Sequence, residues 1–371
     1  MASEKFLAFP VSFGLHSASD ERGFPTHFFL ITTFLLELYS MRKLIFCFLA
    51  CLFLLALNSC SKSRVEKVRI GTIPWPGYGI LHLTKEKGYF KKHGLDVEVK
   101  QYKNVDELHA DYRRGVLDGL TGTLNEILEI REQTKQSPQV FWVADFSDGP
   151  DMLVAPKTVE TVAELRGRKI GVDLGSVGIY VLARALDKAG MSLEDVRIVD
   201  TKFTDLVSLY NKGQLNGGVS AIVAYPPVTT QILDKGDSHA LFTSKEIPGE
   251  VVDAVALEKE IIYGDRSFAE SFVRALNEGV RHLRDKPDES IQFMVKTEKM
   301  PEDEFRDVLA GLKILDVCQQ KEMFLPSGTL PEAVKTSDLV MRRVDQLSGP
   351  DKTVGMVTFG PVQVVGETCD I

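Results

Sequence analysis

The segment Ile70–Gly79, IGTIPWPGYG, takes the chain from a β-strand into a turn that carries two large aromatic side chains. β-Branched residues such as Val68 and Ile73 favour the strand. Two prolines and two glycines are interleaved with the aromatic residues that follow, and because proline cannot donate a ladder hydrogen bond, we expect the strand to end near Ile73. Loops in such positions often carry function. Trp75 and Tyr78 therefore either line a binding site or pack into a core, and this segment alone leaves both alternatives open.

Strands and helices alternate from Val65 onward, which indicates an α/β fold with mainly parallel sheets. A second unit begins near residue 152, and the strands Met152–Ala155 and Val251–Leu257 bracket it. We expect these strands to cross between two lobes, with the C-terminal helices returning to the first lobe. The predicted fold is two-lobed, with two crossover strands and C-terminal helices. The predicted divisions are residues 67–151 plus 253–347 for lobe 1, residues 152–252 for lobe 2 and a tail at 348–371.

The N-terminal region is predicted to target the chain rather than to join this fold. Arg42 and Lys43 precede an uncharged apolar run, Leu44–Leu57, whose length suits a signal-peptide core and is short for a membrane span. The run leads into Leu-Asn-Ser-Cys, which resembles a bacterial lipobox with Cys60 as the lipidated residue. This predicts a protein of the bacterial cell envelope, lipid-anchored on the periplasmic or extracytoplasmic face. We interpret residues 41–59 as a lipoprotein signal peptide, 60–66 as a tether, and 1–40 as a start-site artefact or a long leader.

Composition argues against two kinds of partner, nucleic acids and metal ions. The 371 residues carry a net charge of −8, with no basic run and no basic helix interleaved with aromatic residues. Beyond the predicted signal only Cys318 and Cys369 remain, and no CxxC pair or His/Cys spacing indicates a metal site. We expect these two cysteines to be unpaired, with a disulfide in an oxidising compartment as the alternative. Neither a metal nor a cofactor is expected.

Unusual residues gather where the predicted strands end, which is where open α/β sheets bind their ligands. A cleft between two such lobes is therefore the expected binding site. Plainer alternatives exist: core packing for the aromatic rings, a capping box for Thr123 with Glu126, and turn formation for the glycines at 175–178 and for the aspartates. The candidate ligand-binding residues are Trp75, Tyr78, Thr123, Asn125, Asp148, Asp151, Ser176, Tyr180, Tyr225 and Asp253.

The charge near the first predicted crossover indicates what kind of ligand to expect. Asp145, Asp148 and Asp151 place three carboxylates within seven positions, which creates a local negative field. Aromatic side chains at the other strand ends are suited to stack on a ring or to surround a cation. We therefore expect a small-molecule ligand that carries an amine or hydroxyls.

The sequence contains no pattern that supports catalysis. GxSxG and HExxH motifs are missing, and no cysteine has an evident histidine partner. None of the histidines falls at a predicted strand end beside an acid and a nucleophile. We accordingly predict that the protein is not an enzyme and name no catalytic residue.

Four segments in order carry a resemblance to a known family. They are Arg69–Val99 (RIGTIPWPGYGILHLTKEKGYFKKHGLDVEV), Thr161–Asp173, Ala224–Pro227 and Ser244–Leu257. Together they resemble the substrate-binding proteins of nitrate/sulfonate/taurine-type ABC transporters, in the superfamily of thiamine-precursor-binding-like proteins. The resemblance implies a type II-like periplasmic-binding-protein fold that closes over a small molecule and delivers it to an ABC permease. It does not extend to Pro350–Ile371.

The implied roles of the candidate residues follow the two lobes. In the first lobe, Trp75 and Tyr78 would pack on the ligand, and Thr123 and Asn125 would form hydrogen bonds beside them. In the second lobe, Ser176, Tyr180 and Tyr225 would close over the ligand. Near the hinge, Asp148 and Asp151 would set the charge preference.

Two alternatives for the function stay open. One is an enzyme on the same fold, pyrimidine-synthase-like or menaquinone-pathway-like, although the CCCFC motif of the former is missing. The other is a ligand-sensing envelope lipoprotein.

Overall fold

The structure, a computed structural model, describes residues 67–213 and 217–370. The predicted leader, signal peptide, tether and lipidation site at Cys60 lie outside the described residues. Within the described part of the chain, no helix combines the length and the apolar character that crossing a bilayer requires. Residues 65–371 form one compact unit through their own contacts.

The described strands build two sheets. The strands are β1 (Val68–Thr72), β2 (Val97–Gln101), β3 (Gly119–Thr123), β4 (Pro138–Ser147), β5 (Met152–Pro156), β6 (Lys169–Val172), β7 (Arg197–Asp200), β8 (Ala221–Ala224), β9 (Ser238–Thr243), β10 (Val252–Glu258) and β11 (Leu312–Lys313). The first sheet has the order β11-β4-β10-β3-β1-β2, and the second has the order β7-β6-β8-β5-β9.

Helices follow most strands and then dominate the C-terminal part. They are α1 (Gly79–Glu86), α2 (Tyr89–Lys92), α3 (Val105–Arg113), α4 (Leu124–Gln133), α5 (Val177–Lys188), α6 (Leu206–Asn211), α7 (Val228–Leu233), α8 (Lys259–Gly264), α9 (Arg266–Asp285), α10 (Pro287–Glu298), α11 (Glu302–Ala310), α12 (Val317–Lys321), α13 (Thr329–Arg343) and α14 (Gly360–Gly366). The predicted α/β architecture with two sheets and C-terminal helices is confirmed.

The chain crosses between the sheets twice. It leaves the first sheet after β4 and enters the second at β5, and it returns from β9 to β10. Residues 148–151 and 244–251 make these passages, so each bracketing strand begins where a crossing ends. The first strand after each crossing runs antiparallel to its neighbours: β5 to β8 and β9, and β10 to β3 and β4. The lobe boundaries assigned from the sequence remain predictions.

Helix α9 anchors the C-terminal helices on the first sheet. The Phe272 ring on α9 lies 4.8 Å from that of Phe90 and 5.2 Å from that of Phe141 on β4, measured between centroids. The helix also approaches α1 closely, because a Cβ atom at Gly279 would lie 2.1 Å from Thr84 Oγ1. Burial of these large rings removes apolar surface from water, which is the main stabilising term for such a layer.

The C-terminal segment packs back onto the first sheet and forms a disulfide. The expectation that Cys318 and Cys369 are unpaired is wrong, since their Cα atoms lie 5.6 Å apart and the sulfurs are bonded. Helix α14 brings Cys369 to α12, although 51 residues separate the two cysteines in sequence. Arg131 on α4 holds the same segment by donating hydrogen bonds to the carbonyls of Lys352 at 2.9 Å and Val354 at 3.0 Å.

Removing this disulfide is expected to destabilise the fold. Replacing both cysteines, Cys318→Ser with Cys369→Ser, should lower the free energy of unfolding by about 2–4 kcal/mol, because the bond restricts a long loop of the unfolded chain. Urea unfolding of the oxidised chain, followed by circular dichroism, measures the loss. The wild-type chain with added reductant should reproduce it, and unchanged midpoints in both experiments would contradict the prediction.

Candidate functional site

A small cavity lies where strand ends of the first sheet meet the second. We call it the acidic chamber. It is bounded by the ends of β1, β3 and β10, by the first turns of α4 and α5, and by the loop after β8. Its lining residues are Ile73, Trp75, Tyr78, Thr123, Glu126, Asp151, Val177, Tyr225 and Asp253. The free space is about 20 Å³, which is room for a single water molecule.

Strand register brings the acidic groups of the chamber together. Asp253 begins β10 and lies opposite Thr123 of β3 on one side and Asp145 of β4 on the other. Asp145 and Asp253 are therefore neighbours on adjacent antiparallel strands, and both are buried. Two like charges in such positions repel each other, so they need hydrogen-bond donors nearby.

The turn after β1 supplies those donors. Trp75 Nε1 donates to Asp145 Oδ2 at 3.1 Å, and the Tyr78 hydroxyl donates to Asp253 Oδ1. Gly77 makes room for this arrangement, because a Cβ atom there would lie 1.6 Å from Asp145 Oδ2. The aromatic residues of the opening segment are thus buried in the core, and each donates a hydrogen bond from its polar end to a carboxyl group.

The carboxyl groups around the chamber are hard to ionise. Burial raises the pKa of Asp145 and of Glu126 to about 7, and that of Asp151 to about 6. Burial, followed by the charge of Asp145, raises the pKa of Asp253 well above its usual range. No Lys, Arg or His side chain is among the lining residues. Within the described residues, Asp145 Oδ1 also has no hydrogen-bond donor. The four carboxyls therefore keep their protons to a higher pH than exposed carboxyls do.

Aromatic rings from both sheets close the chamber on its outer side. The ring of Trp75 meets that of Tyr225 edge-on, with centroids 5.6 Å apart, and Tyr225 stacks on Phe203 at 4.3 Å. Beyond Ile73 and Tyr225, which line both spaces, lies a larger pocket of about 370 Å³. We call it the outer pocket. Its lining includes Pro74, Lys103, Asn104, Asp173, Ser176, Phe203, Pro227, Glu298, Lys299 and Met300.

The structure brings together six of the ten residues proposed from the sequence. They are Trp75, Tyr78, Thr123, Asp151, Tyr225 and Asp253. Each lies at or near the end of a strand where the two sheets face each other, which is the reason they converge.

The other four lie elsewhere. The Tyr180 hydroxyl donates to Glu250 Oε2 at 2.8 Å, on a face of α5 outside the chamber lining. Asp148 forms an ion pair with Lys313 at 2.9 Å and lines a separate depression. Ser176 caps α5 by accepting a hydrogen bond from the Gly178 amide at 3.3 Å, and it borders the outer pocket instead. Asn125 is buried in the first turn of α4 but is not part of the lining.

Two carboxyl groups of the site were not among the proposed binding residues. The sequence pattern indicates Asp145 only as part of the acidic hinge and Glu126 only as the capping-box partner of Thr123. A signal exists for each. Asp145 ends an apolar strand run, VFWVAD, and Glu126 stands within the apolar helix pattern LNEILEI. An acid in an otherwise buried pattern is a candidate for function.

The described residues offer no evident metal site. No three His, Cys, Asp or Glu side chains between residues 67 and 213 or 217 and 370 are grouped as metal ligands would be. The chamber carboxyls are held instead by aromatic and backbone donors.

Comparison with known proteins gives consistent results. The family model described as NMT1/THI5 like matches residues 75–290. A Brucella abortus (strain 2308) protein, named provisionally as a binding protein, is 26% identical over 238 residues, which cover 62% of this chain and 70% of the relative.

Solved structures with a similar fold include three binding proteins. The alkanesulfonate-binding protein from Xanthomonas axonopodis pv. citri, bound to MOPS, has a TM-score of 0.65 at 16% identity, covering 80% of this chain and 99% of that one. The periplasmic aliphatic sulphonate binding protein from Escherichia coli has a TM-score of 0.67 at 15% identity, covering 79% and 92%. The periplasmic nitrate-binding protein from Synechocystis PCC 6803 has a TM-score of 0.63 at 12% identity, covering 82% and 89%. The predicted periplasmic-binding-protein fold is confirmed.

The stability of the unliganded protein is expected to fall as pH rises from about 4 to about 7 and then to level off. The chamber carboxyls have pKa values of about 6–7 in the folded protein, against about 4 in an unfolded chain. Between these values the folded state binds more protons than the unfolded chain, so the free energy of unfolding falls with rising pH until the folded carboxyls also ionise. Urea unfolding at a series of pH values measures the trend.

Asp253→Asn isolates the contribution of the carboxyl pair. The amide still accepts the hydrogen bond from Tyr78 but carries no charge beside Asp145, so the variant should have a flatter pH profile and gain about 1 kcal/mol of stability at high pH. Asp148→Asn is the matched control, because its carboxylate lies outside the chamber. Identical profiles for Asp253→Asn and wild type would show that the pair is not the source of the pH dependence.

Proposed function

The chain belongs to the NMT1/THI5-like family, whose model matches residues 75–290, and from that premise we propose that it is the solute-binding protein of an ABC importer. It captures a small molecule between its two sheets and delivers the molecule to a membrane permease. The family membership and the shared fold support this role, and the acidic chamber supplies the site.

One observation carries the proposal: residues from both sheets enclose the chamber. Trp75 and Tyr78 follow a strand of the first sheet, while Val177 and Tyr225 follow strands of the second. A ligand larger than a water molecule therefore enters the chamber only when the two sides separate. Contacts that exist only in the closed arrangement then favour closure on a bound ligand. The two passages at 148–151 and 244–251 are the places where such a hinge motion would bend.

The ligand carries an amine, or hydroxyl groups that donate hydrogen bonds. The reason is the excess of acceptors: Glu126, Asp151 and Asp253 line the chamber, Asp145 lies beside them, and no basic side chain is in the lining. Tyr225 and Trp75 add aromatic faces that attract a cation. The sulfonate and nitrate named for the structural neighbours are anions, so their charge does not transfer to this chamber.

The protein acts outside the cytoplasm as a lipid-anchored component. This part of the proposal rests on the basic residues, the apolar run and the lipobox-like LNSC up to Cys60. Lipidation of Cys60 would hold the binding domain near its permease through the tether at residues 60–66.

The protein binds its ligand without transforming it. The chamber lining contains no Ser, Cys, His or Lys side chain that acts as a nucleophile or a neutral base. Turnover of the bound compound during prolonged incubation would favour the rival enzyme, and retention of the compound unchanged supports transport.

Native mass spectrometry of the soluble chain from Ser61 onward tests the binding role. The purified protein is expected to carry a small molecule that leaves only on unfolding, and its mass identifies the compound. A thermal-shift screen with amines and sulfonates extends the test to an empty protein. Failure to retain or bind any small molecule would contradict the role, whereas a strictly anionic ligand would overturn only the ligand chemistry.

Trp75→Ala should weaken ligand binding at least about tenfold, or about 1.4 kcal/mol. The substitution removes an aromatic wall and the donor to Asp145. Isothermal titration with the compound found by mass spectrometry measures the change. Tyr180→Phe is the control, since the Tyr180 hydroxyl meets Glu250 away from the chamber, and it should bind as wild type does. Equal losses in both variants would contradict the proposed site.

A further inference from the structure

The carboxylate of Glu126 joins the two sides of the chamber. Its Oε2 accepts a hydrogen bond from the amide of Thr123 at 2.8 Å, at the start of its own helix α4. Its Oε1 accepts one from the amide of Val177 at 3.2 Å, at the start of α5. Helix α4 follows a strand of the first sheet and α5 follows a strand of the second. One side chain therefore occupies the point where two helix N-termini meet.

Such a point attracts negative charge. The first amides of a helix have no partner within the helix, and the helix dipole adds a partial positive charge at that end. Oxyanions such as sulfate and phosphate commonly bind there. In this chain Glu126 already fills the anion position at the helix N-termini, because each of its carboxylate oxygens accepts a hydrogen bond from a backbone amide. The residue is only 4% exposed.

We propose that Glu126 determines the charge of the ligand by acting as a built-in anion at the N-terminus of α5. It fills the place that an anionic ligand group would take and adds its negative charge to that of Asp151 and Asp253 in the same lining. The chamber consequently rejects anions and accepts cations. This inference deepens the proposed function, on which it rests for the identity of the chamber as the ligand site.

Glu126 also ties ligand selection to closure. The Val177 amide belongs to the second sheet's side, so its hydrogen bond to Glu126 forms only when the two sides meet. An anion at the start of α5 would have to break that bond and lie beside the Glu126 carboxylate. A cation, in contrast, leaves the bond intact and reduces the repulsion among the acidic groups.

Removing the built-in anion should open the chamber to anions. The variants are Glu126→Ala, which empties the position, and Glu126→Gln, which keeps its volume without its charge. Glu129→Gln is the matched control, because Glu129 lies on the same helix, accepts from Gln133 at 2.7 Å and is not in the chamber lining. The probes are methanesulfonate and methylammonium, each compared with sodium chloride at equal ionic strength and about pH 8, where the Glu126 carboxylate is charged.

Binding is measured by titration of the tryptophan fluorescence, because Trp75 lines the chamber. Wild type and Glu129→Gln should show no response to methanesulfonate beyond the sodium chloride control. Both Glu126 variants should gain methanesulfonate affinity of at least about tenfold over wild type and lose affinity for methylammonium. If Glu126 had a purely structural role, its variants would lose affinity for both probes or for neither. They would not gain affinity for methanesulfonate while losing affinity for methylammonium.

Three results would overturn the proposal. They are binding of methanesulfonate by the wild type, no gain of methanesulfonate affinity in the folded variants, and failure of both variants to fold, which would make Glu126 a requirement for folding. Thermal unfolding without ligand decides the last point. The gain of anion binding needs no knowledge of the natural ligand. It therefore fails or succeeds independently of the mass-spectrometric test of the binding-protein role.

Discussion

The pair of buried carboxyl groups on adjacent strands, Asp145 and Asp253, is the constraint on which the site depends. Burying two acids side by side is unfavourable unless donors satisfy them or protons neutralise them. The donors come from one turn, through Trp75 Nε1 and the Tyr78 hydroxyl. That turn must bring the indole and the phenol inward at once, and only glycine leaves space for Asp145 at position 77.

The same constraint links stability to function. A protein that served only to be stable would place apolar residues at these positions, since well-packed hydrophobic groups are often better tolerated there than charges. The proposed cationic ligand would supply the positive charge that these acids lack within the chamber lining. The narrow free space of the chamber fits this view, because the closed arrangement leaves room for little beyond the group that neutralises the acids. The body of a larger ligand would then extend past Tyr225 into the outer pocket.

The fold by itself does not determine this chemistry. Proteins of similar architecture are named for binding alkanesulfonate and nitrate, yet the chamber here is lined by acids. In this chain two helix N-termini meet at the chamber, and the side chains placed there decide which charge those termini meet. In this chain Glu126 meets two of those amides itself. In the proposed function, the charge of the ligand thus depends on a few side chains and not on the fold.

Local patterns in the sequence determined the alternation of strands and helices, the end of β1 in an aromatic turn, and six of the residues that line the chamber. These features depend on periodicity and on turn chemistry, which act over a few residues. Tertiary structure alone decided the rest. Strand register placed Asp145 beside Asp253, the packing of the second sheet's side against the first brought Val177 to Glu126, and the folded-back tail brought Cys369 to Cys318. Helix orientation likewise turned Tyr180 toward Glu250 and away from the chamber. Each of these contacts joins residues more than fifty positions apart, and no local pattern reports which distant partner a side chain will meet.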